Sequence, residues 1–569
     1  MRRYFRSKNR GVSRPVHARQ GVVLILVVVV VAAFSVAAYS YTRLMSTEFA
    51  IASSQHKLRQ QRLLAESALE QLLSAQPHSL ATYCRPPAPA RDRLTNRFMQ
   101  DSAMVGRLTS TQQPSFQGTY AILTDVPRTN VPTGFGLNNE SAKLNLNDFS
   151  QRAIKRKKVI AKLMRYDGLN EATARGIADA LGVFEPEKTT GSVKTSLSHN
   201  GSLTSLDQLL EVAGVTKEKL FGEDHNGNGR LDPNENDGDE SYPPDNADGI
   251  LQAGWSGHWT LTGAESNFRD DGSPKLNLNQ PDLVALYDSL LDFATPEQAK
   301  FVVAWRIASV TYTDDPSSGG SLTRENIQDQ RKQTAQDRVR KQLGGGSGEA
   351  ASDQSIPSSV TTPNPERIST PTNRSGTVRS GIELSGGGGR RFRSLLDLAS
   401  CQLQLIIDGE DTILVSPFAN DPDGLAGWLP RWERMTTTTD GPSRTDRINI
   451  VQASRETLTT IDGITPEVAD RIVAARTRMA MQTGDAEFAS LTVGWLIEAG
   501  LMSTSELRAI AAEITVGGSV FAGIALGQLD DGQTASAIEF EIDALRRSPR
   551  LRKVLDLPPL PNQQRLEAI

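Results

Sequence analysis

Twelve residues near the middle of the chain carry the spacing of a metal-binding loop. In the run D-H-N-G-N-G-R-L-D-P-N-E, Asp224, Asn226, Asn228, Asp232 and Glu235 place side-chain oxygens at positions one, three, five, nine and twelve. Arg230 at position seven would offer its backbone carbonyl, and Gly229 at position six permits the sharp turn. Hard oxygen donors at this density suit Ca²⁺ rather than a transition metal. The plain alternative is an Asn/Asp/Gly turn that holds no metal. A helical pattern over residues 206–221 leads into the loop. Asn236, Asp237, Gly238 and Asp239, then Pro243 and Pro244, follow it, so no outgoing helix is expected. A lone loop of this kind staples chain segments together; a switch needs a paired loop.

No other grouping of residues suggests chemistry. The chain has no phosphate-binding G-x-x-x-x-G-K-[ST], no G-x-S-x-G and no H-E-x-x-H. The six histidines are scattered, and His225 falls at a non-ligand position of the loop. An enzyme is not expected. The formal net charge of −4 gives no general invitation to nucleic acid. Cys84 and Cys401 are too few and too far apart for a metal cluster or a disulfide framework. They are two unrelated thiols, or one disulfide if the C-terminal part lies outside the cytoplasm.

The N-terminus positions everything after it. Residues 1–21 carry seven Lys/Arg and no acid, and residues 22–42 carry no charge. About 20 apolar residues in a helix rise about 30 Å, the thickness of a bilayer core. The basic segment predicts a cytoplasmic N-terminus and an exported C-terminal bulk. Three readings compete: a secretory signal cleaved near Ala37-Ala38-Tyr39-Ser40, an uncleaved anchor, and a prepilin leader cut between Gly21 and Val22, before the apolar run. Residues 43–75 then contain no Gly or Pro. Leu58, Ala65, Leu69, Leu72 and Leu73 form a partial apolar stripe, so the membrane helix is expected to continue as an amphipathic soluble one until Pro77.

Beyond this stalk a strand is expected over residues 118–126. The phrase Lys143-Leu144-Asn145-Leu146-Asn147 recurs as Lys275-Leu276-Asn277-Leu278-Asn279 and, more loosely, as Arg447-Ile448-Asn449-Ile450. Each reads as a short strand whose Asn turns the chain into a helix. Helical hairpins are expected around Tyr166–Glu171, around Val212–Lys217 and, most clearly, from Leu458 through Gly463 and Pro466 to Val473. The last looks like a helix-hairpin-helix. Such hairpins bind DNA by presenting backbone N–H groups to phosphate, which favours a second glycine where this chain has Thr465 and then Pro466. Packing is the better reading. Residues 314–392 are rich in Gly, Ser, Thr and Pro and are expected to be a disordered insertion. After an apolar stretch from Ile514, Ile538-Glu539-Phe540-Glu541-Ile542-Asp543 alternates as a half-buried strand, so a C-terminal antiparallel hairpin is expected.

The basic leader ending in Gly21, the Val-rich helix, the repeated L-N phrases, the hairpins and the C-terminal strand pattern together resemble the type II secretion minor pseudopilin K family. The resemblance implies an α+β chain: an N-terminal transmembrane helix, then a pilin-like α/β domain with a large inserted helical domain containing helix-hairpin-helix-like units. The corresponding division is 1–21 leader, 22–42 transmembrane helix, 43–147 pilin-like helix and first strands, 148–313 inserted helical domain with the calcium loop, 314–392 insertion, 393–513 helical domain continued and 514–569 C-terminal strands and tail. It further implies leader removal and N-methylation at Gly21 and Val22 by prepilin peptidase. It implies a single-pass inner-membrane protein with a periplasmic bulk, at the pseudopilus tip with minor pseudopilins I and J and other pseudopilins. Calcium binding and the absence of nucleic acid belong to the same expectation. Most pilins carry Glu at the fifth mature position; here it is Leu26. An intramembrane carboxylate is costly unless paired, and a subunit with none above it has no use for one. Two readings from other classes stay open: a membrane-anchored DNA-uptake receptor, and a calcium-stabilised anchored scaffold.

Overall fold

The computed structural model describes residues 20–77, 80, 84, 105–109, 117–124, 136–151, 154–183, 202–225, 232–248, 251–314, 377–482, 491–530, 534–558 and 560–561. The fold mixes helix and sheet around one long N-terminal helix.

That helix, α1 (Gln20–Ser74), runs without interruption from the apolar segment into the soluble part. Residues 23–57 are exposed along its whole first half, which is long and apolar enough to cross a membrane. The second half is buried on one side. Ala65, Ala68, Leu69 and Leu72 recur at three- and four-residue spacing and so share one face. They pack on an antiparallel sheet of β1 (Val105–Thr109), β2 (Gln117–Leu123), β3 (Asn138–Asn139), β4 (Val520–Leu529), β5 (Thr534–Asp543), β6 (Arg550–Asp556) and β7 (Leu560–Pro561). The main path is β1-β2-β4-β5-β6, with β3 on β4 and β7 on β5. Period-two alternation sorts the side chains: Ile122, Phe521, Ala525, Ile538, Phe540 and Ile542 face α1. Ala121, Leu123, Ile524, Leu526 and Ala537 form a smaller cluster on the opposite face. The expected C-terminal hairpin is present as β4 and β5, with Phe540 opposite Gly523 and Ile538 opposite Ala525. Its expected turn at Asp531 and Gly532 lies outside the described residues.

β2 and β4 are neighbours in this sheet, with Leu526 opposite Ala121, although the chain between them is long. Between β3 and β4 in chain order, residues from Leu144 to Ile514 gather a second core of their own. The three L-N phrases organise it. Leu144–Asn145, Leu276–Asn277 and Ile448–Asn449 each pair in parallel with a two-residue strand far downstream: Trp259–Thr260, Thr436–Thr437 and Ile514–Thr515. Within each phrase the Asn side chain accepts the N–H two residues on, from Asn147, Asn279 and Val451 at 2.8–3.0 Å. In each partner strand the Thr hydroxyl likewise accepts the N–H two residues on, from Thr262, Thr439 and Gly517. These are side-chain-mimicked turns. Between each pair of strands stands a helical hairpin: α2 (Arg156–Leu163) with α3 (Glu171–Ala180), α4 (Leu283–Leu290) with α5 (Pro296–Trp305), and α6 (Arg455–Thr459) with α7 (Pro466–Gln482). The second core is therefore built from three copies of one strand–hairpin–strand unit, over residues 144–263, 276–440 and 448–517.

The hairpin expected at Val212–Lys217 is present in short form: the 3₁₀ helix Leu206–Glu211 leads through Gly214 (φ +90°) into the helix Lys217–Phe221, and the Val215 N–H donates to Val212 O at 3.1 Å, as the Leu169 N–H does to Tyr166 O and the Ile464 N–H to Ile461 O. A further hairpin, not among those expected, is α4–α5, whose second helix opens with Thr295-Pro296-Glu297, as α7 opens with Thr465-Pro466-Glu467. One expectation is corrected: the insertion assigned to 314–392 is too long. Residues 377–392 are folded: Val378–Arg379 pairs with Ile382–Glu383, Ile382 and Leu384 are buried, and Phe392 stacks on Trp305 at 4.0 Å. Three apolar side chains suffice to anchor a Gly-rich stretch against a ready-made core. Asp314 is likewise placed, by a two-pronged ion pair with Arg508. Residues 315–376 lie outside the described ones.

The two cysteines do not pair. Cys84 is buried beside α1 and Cys401 in the second core, and both are free thiols. Burial pushes the Cys401 thiol up to about 12.

An acid-sensitive contact joins the first unit to the third. Lys162 on α2 donates to Glu513 at 2.6 Å, and Lys158 reaches the same carboxylate at 3.2 Å. Burial works against the charged Glu513, but the two lysines outweigh it and hold its pKa below the usual carboxylate range. A lowered folded-state pKa gives stability that is present above the unfolded value and lost as pH falls through the folded one. Glu513→Gln removes that dependence. Between about pH 5 and pH 3, the urea midpoint of the variant should fall less than that of the parent chain; equal slopes would refute the assignment.

Candidate functional site

The loop proposed to hold metal begins where helix Lys217–Phe221 ends. Gly222 closes that helix at φ +63° and lies so close to Gln252 that a Cβ would stand 2.1 Å from its carbonyl oxygen. Only glycine fits there. The approach lets the Glu223 N–H donate to Gln252 O at 2.8 Å, while the Glu223 carboxylate accepts the Gln252 N–H at 2.9 Å. Asp224 follows and is buried. At the far end, Asp232 caps the 3₁₀ turn Pro233–Glu235, and its N–H donates to Glu235 Oε2 at 3.0 Å.

Glu235 is 1% exposed. Burial raises its pKa, and the nearby charges of Asp224 and Asp232 raise it further. Its Oε1 is buried with no hydrogen-bond partner. A buried carboxylate oxygen left bare costs free energy unless a proton or a cation reaches it. The first, ninth and twelfth positions of the loop are therefore close enough to feel one another. Asn226, Asn228 and Arg230 lie outside the described residues. Among the described residues no three His, Cys, Asp or Glu side chains form a metal-binding group. His225 turns aside and packs edge-on against Tyr242, ring centroids 4.7 Å apart.

A second knot of carboxylate and backbone lies just downstream. The Asp245 carboxylate accepts three backbone N–H groups, from Asp237, Gly238 and Ala247, at 2.6–3.0 Å. Burial opposes its charge, yet these bonds hold its pKa low. The D-G-D and D-N-A-D runs were the available signal: Asx turns concentrate where Asp and Asn cluster with Gly.

The two residues expected to flank a leader cleavage lie at the start of α1. Gly21 and Val22 fall in its first turn, and their side chains lie outside the described ones. Leu26 is exposed on the apolar half with its neighbours.

The hairpin that most resembles a DNA-binding unit has its turn occupied. Asp462 pairs with Lys158 at 2.8 Å and Arg165 at 3.1 Å, and Arg165 also donates to the carbonyls of Thr459 and Ile461. The turn between α6 and α7 thus packs against α2 of the first unit. Comparison of the chain with protein-family profiles, curated proteins and solved structures gives no match.

Proposed function

We propose that this chain is a minor pseudopilin of the K type, placed at the tip of a type II secretion pseudopilus and acting by assembly rather than by catalysis. The observation that carries the reading is α1: one unbroken helix whose first half is bare and apolar and whose second half is the spine of an antiparallel sheet. That is the division of labour of a pilin-type subunit, in which the bare half packs in a bundle outside the membrane and spans the bilayer before that. On this reading the second core is the large domain inserted between the strands of the pilin-like sheet, and its bulk above the sheet blocks further addition. Leu26 fits a subunit with no neighbour above it. The DNA-uptake alternative has less support, because the Asp462 turn already has its partners within the chain.

The first test is the intact mass and N-terminal residue of membrane-extracted protein made with and without prepilin peptidase. Peptidase-dependent loss of residues 1–21, leaving a methylated Val22, is expected. A retained leader, or cleavage near Ala38, would remove the pseudopilin reading.

Calcium is part of the same proposal. Asp224, Asp232 and Glu235, with Asn226, Asn228 and the Arg230 carbonyl, would hold the ion, which would supply the charge that the bare Glu235 oxygen lacks. A ligand bound only by the folded state at 100 times its dissociation constant adds about 2.7 kcal/mol. Calcium should therefore raise the thermal midpoint, chelator should reverse the gain, and Glu235→Gln should abolish most of it. A midpoint indifferent to calcium would leave the loop a metal-free turn.

A further inference from the structure

We propose that the junction between the sheet and the second core is a proton-operated clasp, closed by mild acid through Glu541. Among the described residues the two cores share no apolar cluster. What joins them is polar. The Ser519 N–H donates to Ala264 O at 2.7 Å, the Ser266 N–H to Ser519 Oγ at 3.0 Å and the Asn139 N–H to Gln452 Oε1 at 2.7 Å. A polar interface of this kind leaves relative motion of its two sides as the default.

Beside these bonds the chain gathers two carboxylates around one lysine. Glu140 lies on the connector that leaves β3 and is 6% exposed. One of its oxygens accepts from Lys143 Nζ at 2.9 Å and the other from the Thr260 hydroxyl of the first unit at 2.7 Å. Burial opposes both charges, but each offsets the other, and Thr260 adds to the hold on Glu140. The Glu140 pKa is lowered and the Lys143 pKa raised, so this pair stays charged.

Glu541 on β5 has the weaker claim on the lysine. Its Oε1 is buried without a hydrogen bond, with Arg552 Nε of β6 at 3.4 Å. Burial, and then the charge of Glu140, raise its pKa; Arg552, the Thr262 hydroxyl and Lys143 lower it by less. The neighbouring Glu539 is already paired, with Lys553 at 2.6 Å. An ordinary cross-strand pair with Arg552 is the plainer reading of Glu541, but it leaves the bare oxygen and the facing Glu140 unexplained.

A proton on Glu541 removes its repulsion from Glu140. With the folded pKa raised, the folded chain holds that proton more tightly than the unfolded chain, so stability is gained as pH falls through the folded value toward the unfolded one. The other titrating groups nearby do not supply this gain. His258 meets Ser454 Oγ at 2.8 Å and has its pKa lowered by burial and by Lys143, against Glu456, so charging it in acid costs stability. Asp271, beside Arg547, is held low by Ser273 and stays charged. Arg546 over the Phe268 ring keeps its charge throughout. The clasp joins the sheet to the second core and stands whether or not the chain is a pseudopilin.

The test is hydrogen exchange of the full chain in detergent, read as protection factors of the Asn139, Ser266 and Ser519 amides from about pH 7.5 down to about pH 4.5. Protection should rise at least about threefold on acidification. Glu541→Gln carries no charge at either pH and should keep the acid level of protection throughout. Arg552→Gln removes an exposed cation that favours the charged form of Glu541, so it should move the rise to higher pH. Flat or falling protection in the parent chain, a rise retained in Glu541→Gln, or a rise in Arg552→Gln that stays in place or moves to lower pH would each overturn the proposal. If Glu541→Gln does not fold, the direction of the Arg552→Gln shift decides alone.

Discussion

Replacing Gly527 with valine is expected to separate α1 from the sheet while leaving the second core folded. Gly527 faces α1 on the central strand β4, and a Cβ there would stand 2.0 Å from the Gln61 carbonyl oxygen and 2.6 Å from the Ala65 nitrogen. Both are backbone atoms of a helix, so no side-chain rotation can relieve the clash and the helix itself must move. Movement opens the contact made by Ala65, Ala68, Leu69 and Leu72, and pulls the buried Gln61 amide from Thr534 O, to which it donates at 2.6 Å. The loss should reach about 4 kcal/mol, the scale of severe core lesions. Hydrogen exchange of the β4 and β5 amides should then accelerate by about a thousandfold, at about 1.4 kcal/mol per decade. The six tryptophans lie between residues 255 and 495, all within the span of the second core. Their fluorescence midpoint should stay where it is. A fall in step with the exchange protection would show that the two cores unfold as one.

What could be read in the sequence follows the range of the forces involved. The apolar run and its amphipathic continuation are local patterns of period 3.6, and they became a single helix. The alternation at Ile538–Asp543 is a local pattern of period two, and it became β5. The pairing of β2 with β4 is not local: nothing in Gly118-Thr119-Tyr120-Ala121 names Leu526 as its partner, because a strand's register is fixed by the core it must cover. The hairpin α4–α5 escaped notice because its turn, Phe293-Ala294-Thr295, lacks the Asp-Gly of the other two, although its second helix shares T-P-E-x-A with α7. Composition misjudged residues 377–392, since a Gly-rich segment can be held by a few apolar anchors on a surface that other residues have already built. At the loop, spacing brought Asp224, Asp232 and Glu235 to notice together. Their mutual effect on Glu235 is a consequence of burial that spacing does not carry.

The repeat architecture makes its own demand, most severe at Arg476. This side chain is 2% exposed and has no carboxylate partner among the described residues; it donates to the carbonyls of Ile450 at 3.1 Å and Ala453 at 2.6 Å, and burial lowers its pKa to about 10. Arg306 does the same in the second unit, donating to Leu278 O and Gln280 O. The equivalent residue in the first unit is Leu181, fully buried. The difference has a local cause. After Asn145 the chain turns directly into the helix Leu146–Gln151, which uses its own carbonyls, whereas after Asn277 and Asn449 it makes a non-helical turn whose carbonyls need an outside donor. Arg476→Leu therefore does two opposing things. It removes a buried cation, which relieves a desolvation cost of several kcal/mol. It also leaves two buried carbonyls bare, at about 1–3 kcal/mol each, and forfeits charge-assisted bonds of about 1.5–3 kcal/mol each. The second effect should win, because the turn is closed in by Ile450 and Ala453, both 0% exposed, and water cannot replace the guanidinium without opening it. A net loss of about 2–3 kcal/mol is expected, read as a lower urea midpoint of tryptophan fluorescence with β4 and β5 exchange unchanged. Arg306→Leu should cost a similar amount, and the two should add if each unit closes its own turn. A midpoint that stays or rises in Arg476→Leu would mean that the buried charge outweighs the carbonyls, and that the arginine serves something other than the turn.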